Sequence, residues 1–327
     1  MARTRYASDP GLIARMGATM FLIGLVFTGF FIALYFVLFA YGNRHGDGGA
    51  GDGLVVIVLL IAAAVAFGGY YWSDKIALNT ARARVVTPQQ APQLHGIIDR
   101  ICALADMPKP RVAISPVSMP NAFATGRSSK VAVVCVTEGL LQRLDDKELE
   151  GVLAHEMSHV AHKDVAVMTI ASFLGIMAAL LVRFAFYSEL FGGGGRGRGG
   201  GRGNNQNAFP VILIVMAVGI VVYAISFLLI RLLSRYRELS ADRSGALLTG
   251  QPSALASALV KVTGDIARIP TRDLRQAEPL NAFYFTPALS GRTGQRSLSN
   301  IFSTHPSLEK RLAQLDKISK QLGSSAG

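Results

Sequence analysis

Four long apolar runs alternate with polar stretches along the chain and set its organisation. A helix that crosses a lipid bilayer needs roughly 20 apolar residues, with about 17 as the minimum. The first, second and fourth runs satisfy this length; the third is marginal and could also be a buried or re-entrant hairpin arm. The runs are 16–41, 54–72, 165–182 and 209–230. The pattern predicts several membrane-spanning helices.

Two polar segments, 73–164 and 231–327, flank the third and fourth apolar runs. Neither is large alone, and together they have the size of one ordinary domain. We therefore expect a single domain that is interrupted by a membrane hairpin at 165–230. The hairpin contains a Gly/Arg-rich loop at 192–203, whose composition is typical of a flexible, solvated linker.

Local patterns inside the polar segments predict helices with a few short strands. Apolar residues at helical spacing predict a helix over 89–105, and β-branched runs predict strands over 111–115 and 131–136. Asp145 can cap the next helix, with Glu148 completing a capping box. The expected fold class is mostly α with a small β-sheet, in a multi-pass membrane protein.

Composition supports this class and excludes others. Half of the residues are hydrophobic, 17% are charged and the mean hydropathy is +0.37, which excludes extensive disorder and an ordinary cytosolic enzyme. The net charge of +12 could indicate nucleic acid binding, but the apolar runs favour an anionic lipid leaflet, so no nucleic acid partner is expected. Two cysteines, Cys102 and Cys135, are too few for a disulfide framework and are expected to be buried thiols.

The distribution of positive residues predicts the orientation in the membrane. Arginines in the tail 1–15 and basic residues after position 72 favour the cytoplasmic side, whereas the connection 42–53 carries little positive charge. The tail and the polar domain are therefore expected in the cytoplasm. The arginines of the loop 192–203 would also favour that side, which leaves the crossing of the hairpin open.

The sequence His155-Glu156-Met157-Ser158-His159 carries the clearest chemistry. Residues four apart share one face of a helix, so both imidazoles can reach one metal ion. Zinc takes imidazole nitrogen well and keeps an open position in catalytic sites. Glu156 lies to the side of this face and could take a proton from a metal-bound water. The alternative is a set of solvated polar residues on a helix.

A third ligand is needed, and the segment after the fourth apolar run offers two carboxylates. Glu238 and Asp242 are four residues apart on an expected helix, so one could bind the ion while the other orients a ligating histidine. They could instead be surface groups that balance neighbouring arginines. If residues on both sides of the hairpin bind one ion, the hairpin crosses the membrane twice or not at all.

HEMSH, the following hydrophobic hairpin and SRYRELSAD together resemble the HtpX-type membrane zinc metalloproteases, bacterial relatives of the CAAX prenyl proteases. The resemblance covers nearly the whole chain and implies a gluzincin-like HExxH metallopeptidase domain. It implies one Zn²⁺ per chain bound by His155, His159 and Glu238. It also implies that Glu156 is the general base and that Asp242 supports a ligating histidine.

Two further segments match this family. Pro120 to Gly126 resembles an edge strand over the active site, which implies that Asn121, Ala122 and Phe123 bind substrate through the main chain. The alternative for this segment is an ordinary hairpin loop. The segment around His305 resembles a C-terminal element of the family. His305 could stabilise the oxyanion of the tetrahedral intermediate, or it could simply cap a helix over 306–315.

The resemblance implies a zinc endopeptidase of the bacterial inner membrane, with its active site facing the cytoplasm. Its partners would be the lipid bilayer and protein substrates, namely misfolded or damaged membrane proteins in a stress response. One alternative is a membrane scaffold with a structural zinc site, which a fourth protein ligand such as His162 would favour. Another is a protease of lipidated peptides. The oligomeric state is left open.

Overall fold

The computed structural model describes residues 10–45, 67–173, 208–268 and 305–324, together with residues 60, 64, 176, 179, 180 and 183. The expectations for the loop 192–203, most of the run 54–72 and part of the run 165–182 fall outside these residues.

The described structure is mostly helical and contains a small mixed sheet, as the sequence predicts. The helices are α1 (Pro10–His45), α2 (Ser73–Thr80), α3 (Pro92–Ala105), α4 (Glu138–Leu141), α5 (Asp146–Ala161), α6 (Asp164–Phe173), α7 (Ala208–Thr249), α8 (Pro252–Arg268) and α9 (Leu308–Ser324). The strands are β1 (Arg84–Val85), β2 (Arg111–Ser115), β3 (Ala122–Thr125) and β4 (Val133–Thr137).

The sheet has the order β1-β2-β4-β3, which leaves β3 at an edge. β2 pairs with β4 in parallel, and the two outer pairs are antiparallel. The bounds of β2 match the prediction, whereas β4 begins two residues later than predicted. The reason is a turn: the amide of Val131 donates to the carbonyl of Ser128. At the other end, Thr137 donates to the carbonyl of Asn121 and prolongs the β3–β4 pairing.

Caps set the bounds of the helices around the site. The capping box predicted for α5 is present: the Asp145 carboxylate accepts from the amide of Glu148, and the Glu148 side chain accepts from the amide of Asp145. The helix over 89–105 begins at Pro92 rather than at position 89. A turn precedes it, in which the amide of Gln90 donates to the carbonyl of Thr87, and proline suits a first helical turn.

The sheet is covered by apolar side chains on both faces. The larger cluster joins α3, α5, α8, α9 and one face of the sheet, and its most deeply buried members include Ile98, Ile101, Leu153, Leu255, Leu259 and Ile318. A smaller cluster on the other face joins Phe123 and Cys135 to Ala77 of α2 and to Ala81, which follows that helix. Both cysteines are buried thiols, as expected. These contacts hold α5 and β3 next to each other.

Internal contacts divide the chain into two compact units. The first unit comprises Met1–Met16, Tyr70–Val167 and Arg231–Gly327, and the second comprises Gly17–Gly69 and Met168–Ile230. Among the described residues, two helical segments are long and apolar enough to cross a membrane, Pro10–Phe30 and Met216–Thr249. They correspond to the first and fourth apolar runs. A multi-pass arrangement with further spans stays a prediction.

Candidate metal centre

The two histidines of α5 point at a single place. His155 and His159 are one helical turn apart, and their ring centroids are 5.0 Å apart. Nε2 of His155 is 3.6 Å from Oε2 of Glu238, and Nε2 of His159 is 3.4 Å from Oε1 of the same carboxylate. One ligand atom from each residue fits within 4.8 Å of the other two. The structure therefore brings these three residues together.

Glu238 reaches this place because α7 approaches the backbone of α5 very closely. Gly245 faces the point of approach: a Cβ atom there would lie 2.9 Å from the amide nitrogen of His155 and 3.1 Å from its Cα. These distances are shorter than normal van der Waals contacts, so a side chain would not fit there. The missing side chain thus lets the two helices approach, and Glu238 lies two turns earlier on the same helix.

The second nitrogen of each imidazole faces a buried carboxylate. Nδ1 of His155 is 2.9 Å from Oδ1 of Asp242, and Nδ1 of His159 contacts Oδ2 of Asp164. An Nδ1–H that donates to a carboxylate leaves the lone pair on Nε2, the atom that faces Glu238. These contacts favour the ring orientation and the tautomer that a metal ligand needs.

Arginines hold these carboxylates in turn. Arg311 of α9, 1% exposed, donates through Nε and Nη2 to both oxygens of Asp242, at 2.7 and 2.6 Å. Arg237 lies 2.9 Å from the Asp164 carboxylate. Buried charges need such partners, because an unpaired buried charge is very costly. These ion pairs therefore offset the free-energy cost of burying the two carboxylates.

The donor set fits a divalent metal ion. Two imidazole nitrogens and one carboxylate, each with its orientation fixed from behind, are a common set of protein ligands in catalytic zinc sites. Among the described residues, the candidate ligand group contains His155, His159 and Glu238 and does not include His162. Three protein ligands leave room for a substrate or a water molecule.

The charged side chains of the metal centre shift one another's pKa values. Burial alone would lower the pKa of His155 and of His159. The carboxylates of Asp242 and Glu238 nevertheless raise the pKa of His155, and those of Asp164 and Glu238 raise the pKa of His159 to about 10. Burial opposes ionisation of Glu238 as well, but the surrounding imidazoles hold its pKa well below its usual range. Without a cation, the site strongly attracts positive charge.

Glu156 lies beside this group and contacts the edge strand. Its side chain is buried, and Oε2 accepts a hydrogen bond of 3.1 Å from the amide of Ala124 in β3. Burial raises the pKa of Glu156, and so does the charge of Glu238, although the two imidazoles and the Ala124 amide oppose the shift. A carboxylate with a raised pKa can both accept and return a proton.

The three residues predicted to bind substrate lie at the start of β3. Ala122 belongs to the larger apolar cluster and Phe123 to the smaller one, so their side chains lie on opposite faces of the sheet. Asn121 is bonded through its backbone to Thr137. The contact of this strand with Glu156 comes instead from Ala124, which sequence reasoning did not select.

His305 contacts the ligand group from the C-terminal part of the chain. Its Nδ1 is 2.9 Å from Oε2 of Glu238, and the residue is buried. α9 begins only at Leu308 and runs to Ser324, so it lies later than the predicted helix over 306–315. His305 is thus in contact with the site itself, next to one of its carboxylates.

Sequence reasoning missed Asp164, Arg237 and Arg311. Asp164 could have been noticed, because it follows His159 by five residues and opens the next helix. Arg311 offers no such signal, because its partner Asp242 is far away along the chain.

A histidine pair on one helix, facing a glutamate from another helix beside an edge strand, defines a class, the metallopeptidases. The model of Peptidase family M48 matches residues 88–319. The chain belongs to this family as an HtpX-type protease, which confirms the resemblance. It is a membrane metalloprotease.

Similar proteins cover almost the whole chain. Protease HtpX homolog 1 of Streptomyces coelicolor is 57% identical over 322 residues, which cover 98% of this chain and 97% of that protein. A protease HtpX homolog of Moorella thermoacetica is 46% identical over 321 residues, with 98% of each chain covered. The crystal structure of Ste24p from S. mikatae is similar with a TM-score of 0.49 and 18% identity, covering 93% of this chain and 67% of that one.

Proposed function

We propose that this metalloprotease is a zinc-dependent endopeptidase that binds one Zn²⁺ per chain through His155, His159 and Glu238. The proposal is carried by one observation, the convergence of the three ligand atoms within 4.8 Å. The carboxylates behind both imidazoles support it, because they favour the tautomer that leaves Nε2 as a ligand. Zinc suits this set of two nitrogens and one oxygen.

Bound there, zinc would act as a Lewis acid that polarises the peptide carbonyl and makes water more acidic. Glu156 accepts the proton of the attacking water and then delivers it to the nitrogen of the leaving amine. Its buried position beside the ligand group places its carboxylate within reach of both proton transfers. The bond from the Ala124 amide keeps the Glu156 carboxylate oriented.

We assign substrate binding to the outer edge of β3, in the segment that contains Asn121, Ala122 and Phe123. The amide and carbonyl of Asn121 are themselves taken by Thr137, so other main-chain groups of this segment would bind the peptide. An extended peptide can add to such an edge by backbone hydrogen bonds, which read side chains only weakly. This mode of binding suits unfolded segments of many sequences. Misfolded or damaged membrane proteins are therefore the proposed substrates, in a quality-control role under stress.

His305 is the proposed stabiliser of the oxyanion. Its Nδ1 lies 2.9 Å from Oε2 of Glu238, and this contact would hold the ring beside the ligand group, where the oxyanion would form. Asp242 is assigned to hold His155 in place.

We further propose that the chain lies in the bacterial inner membrane with its active site in the cytoplasm. The segments 16–41 and 54–72 would be spans, 165–230 a hairpin, and 73–164 with 231–327 the peptidase domain. The apolar segments Pro10–Phe30 and Met216–Thr249 support this arrangement. The basic tail supports the orientation.

The test uses the full chain purified in detergent, with zinc content and casein cleavage as the readouts. Glu156→Gln should keep its zinc, because the residue is not a ligand, and lose about 10²–10⁴-fold in cleavage rate. Glu138→Gln changes an exposed glutamate in the same way and should match the wild type. Glu238→Ala should lose both zinc and cleavage.

Three outcomes would overturn the proposal. Unchanged cleavage by Glu156→Gln would refute its role as the base. Full zinc in Glu238→Ala would refute the ligand set. A wild-type protein that holds zinc but cleaves no casein would indicate a structural site, or a protease of lipidated peptides if it cleaves a farnesylated peptide instead.

A further inference from the structure

A cavity of about 380 Å³ lies within the first of the two compact units. It shares none of its lining residues with the metal centre. Its walls carry four basic side chains, those of Lys75, Arg111, Arg127 and Lys130. Such a concentration of positive charge in one concave site is typical of a site for an anion.

Only part of this charge is balanced within the described structure. Asp74 is the acidic residue in the lining, and it pairs with Arg111, whose Nη2 lies 2.5 Å from Oδ2 of the carboxylate. Lys75 and Lys130 are exposed, and neither makes an ion pair within the described ranges. With Arg127, they leave the cavity with three positive charges that a bound anion could balance.

The contacts of Arg127 fix its position. Its guanidinium carbon lies 4.2 Å from the centre of the Tyr71 ring, and its Nη1 donates to the Tyr71 carbonyl at 3.3 Å. The hydroxyl of Tyr70 donates to the carbonyl of Arg127, also at 3.3 Å. A guanidinium held in this way loses little freedom when it binds an oxyanion, so the cavity is organised in advance.

The cavity opens beside exposed aromatic and aliphatic side chains. Trp72 is 51% exposed and Tyr71 44%, and both line the cavity. Ile76, one turn after Trp72, is 49% exposed. Tyr71 and Trp72 end the apolar run 54–72, and Lys75 follows three residues after Trp72. Aromatic residues followed by basic ones are typical of the level of lipid headgroups.

We propose that this cavity binds the phosphate group of an anionic phospholipid, with the basic side chains on the headgroup and the Trp72 side near the acyl chains. The phosphate accepts hydrogen bonds from Lys75, Arg127 and Lys130. The inference goes beyond the proposed function and takes from it only that 54–72 is a span. It predicts a defined lipid site rather than general attraction between a basic protein and a charged bilayer.

Trp72 is the sole tryptophan of the chain, so its fluorescence reports on this cavity. The full protein in a non-ionic detergent is titrated with phosphatidylglycerol whose acyl chains are brominated, since bromine quenches tryptophan on close contact. Parallel titrations use brominated phosphatidylcholine and inorganic phosphate. The wild type should be quenched at much lower concentrations of phosphatidylglycerol than of phosphatidylcholine. Inorganic phosphate, added in excess, should displace the lipid only weakly.

Lys75→Gln combined with Lys130→Gln should weaken the quenching by phosphatidylglycerol about 25-fold, because each basic group near an anionic headgroup contributes roughly fivefold. The matched control combines Lys310→Gln with Lys317→Gln, two exposed lysines of α9, and has the same net charge. It should stay within about twofold of the wild type, because salt screens distant charges.

Equal loss in the control pair would overturn the site in favour of general electrostatics. Equal quenching by both lipids, or displacement by phosphate at lipid-like concentrations, would overturn the phospholipid assignment. Zinc content and casein cleavage, measured without lipid, should be unchanged in both double variants. A failure of the lipid site is therefore distinguishable from a failure of the proposed peptidase mechanism.

Discussion

Each imidazole of the metal centre is held from behind by a carboxylate. Asp242 contacts His155 and is itself held by both nitrogens of the Arg311 fork, while Asp164 contacts His159. These contacts orient each imidazole ring in the absence of a metal ion. Hydrogen bonds of this kind raise ligand basicity and reduce the freedom that binding would otherwise remove.

Asp164→Asn tests this support at a position that is not a ligand. The amide keeps the size of the side chain but removes the charge that favours Nδ1–H on His159, so zinc affinity should fall about 10–100-fold. Competition with a fluorescent zinc chelator measures the affinity. Asp316→Asn, a change of the same type on an exposed part of α9, serves as the control. Equal affinity in the two variants would contradict the supporting role.

At the scale of elements, the centre depends on how closely α7 can pass α5. Gly245 provides this closeness, since the backbone of His155 occupies the space where a side chain would begin. In contrast, a Cβ atom on Gly96 of α3 would meet nothing within 4 Å. A side chain is therefore excluded by the neighbouring backbone at Gly245 but would fit at Gly96.

Gly245→Ala should therefore separate the two helices at the ligand position. Overpacking of this kind costs about 1–3 kcal/mol, and the displaced Glu238 should also bind metal less tightly. Gly96→Ala should instead be neutral or stabilising by up to about 1 kcal/mol, because alanine is the better helix former. Thermal unfolding and zinc content compare the two variants. If Gly245→Ala has the same thermal stability and zinc content as the wild type, the close approach of α7 to α5 does not require this glycine.

Glu148 connects the start of α5 to α8. Beyond its role in the cap, its side chain accepts hydrogen bonds from Ser257 and from Nζ of Lys261. Burial alone would raise the pKa of Glu148, but these two bonds and the Asp145 amide lower it below its usual value. The ionised form is therefore favoured in the folded protein.

A lowered pKa has a defined consequence for stability. The contribution of Glu148 is fully present above the unfolded-state pKa of about 4.3 and disappears as the pH falls through the lower folded-state value. Glu148→Gln should accordingly be less stable than the wild type at pH 7, and the difference should shrink below about pH 4.3. Melting curves of both proteins over this range test it. A difference that is independent of pH would contradict the assignment.

At the scale of the whole molecule, the centre combines α5, α7 and α9, which are far apart along the chain. The features that the sequence predicts are local: the cap at Asp145, the shared face of His155 and His159, and the strand over 111–115. Each follows from the preferences of neighbouring residues. The HExxH pattern and the resemblance gave the candidate ligands, while their roles stay predictions.

What could not be predicted depends on contacts between distant segments. The pairing of Arg311 with Asp242 joins two helices that no periodicity connects. The shift of the β4 start follows from a turn that only the folded chain reveals. The side chain of Phe123 is taken up by the core beneath the sheet, because the faces of a strand alternate.

Metal removal should affect the stability of the whole protein, since the three ligands come from two helices. A ligand present at about 100 times its Kd stabilises the folded state by about 2.7 kcal/mol. For a protein of this size, adding zinc after chelation should raise the Tm by roughly 4 °C. Glu238→Ala should show no such rise. The same Tm with and without zinc in the wild type would contradict metal binding at this centre.

The anchoring of Asp242 by Arg311 also has a consequence for biosynthesis. A chain emerges from the ribosome N-terminus first, so the HExxH helix is made long before the arginine that completes the support of its first histidine. A nascent chain lacks that anchor until translation has passed position 311. The contacts that hold His155 in place are therefore completed only after both ligand-bearing helices, α5 and α7, have been synthesised.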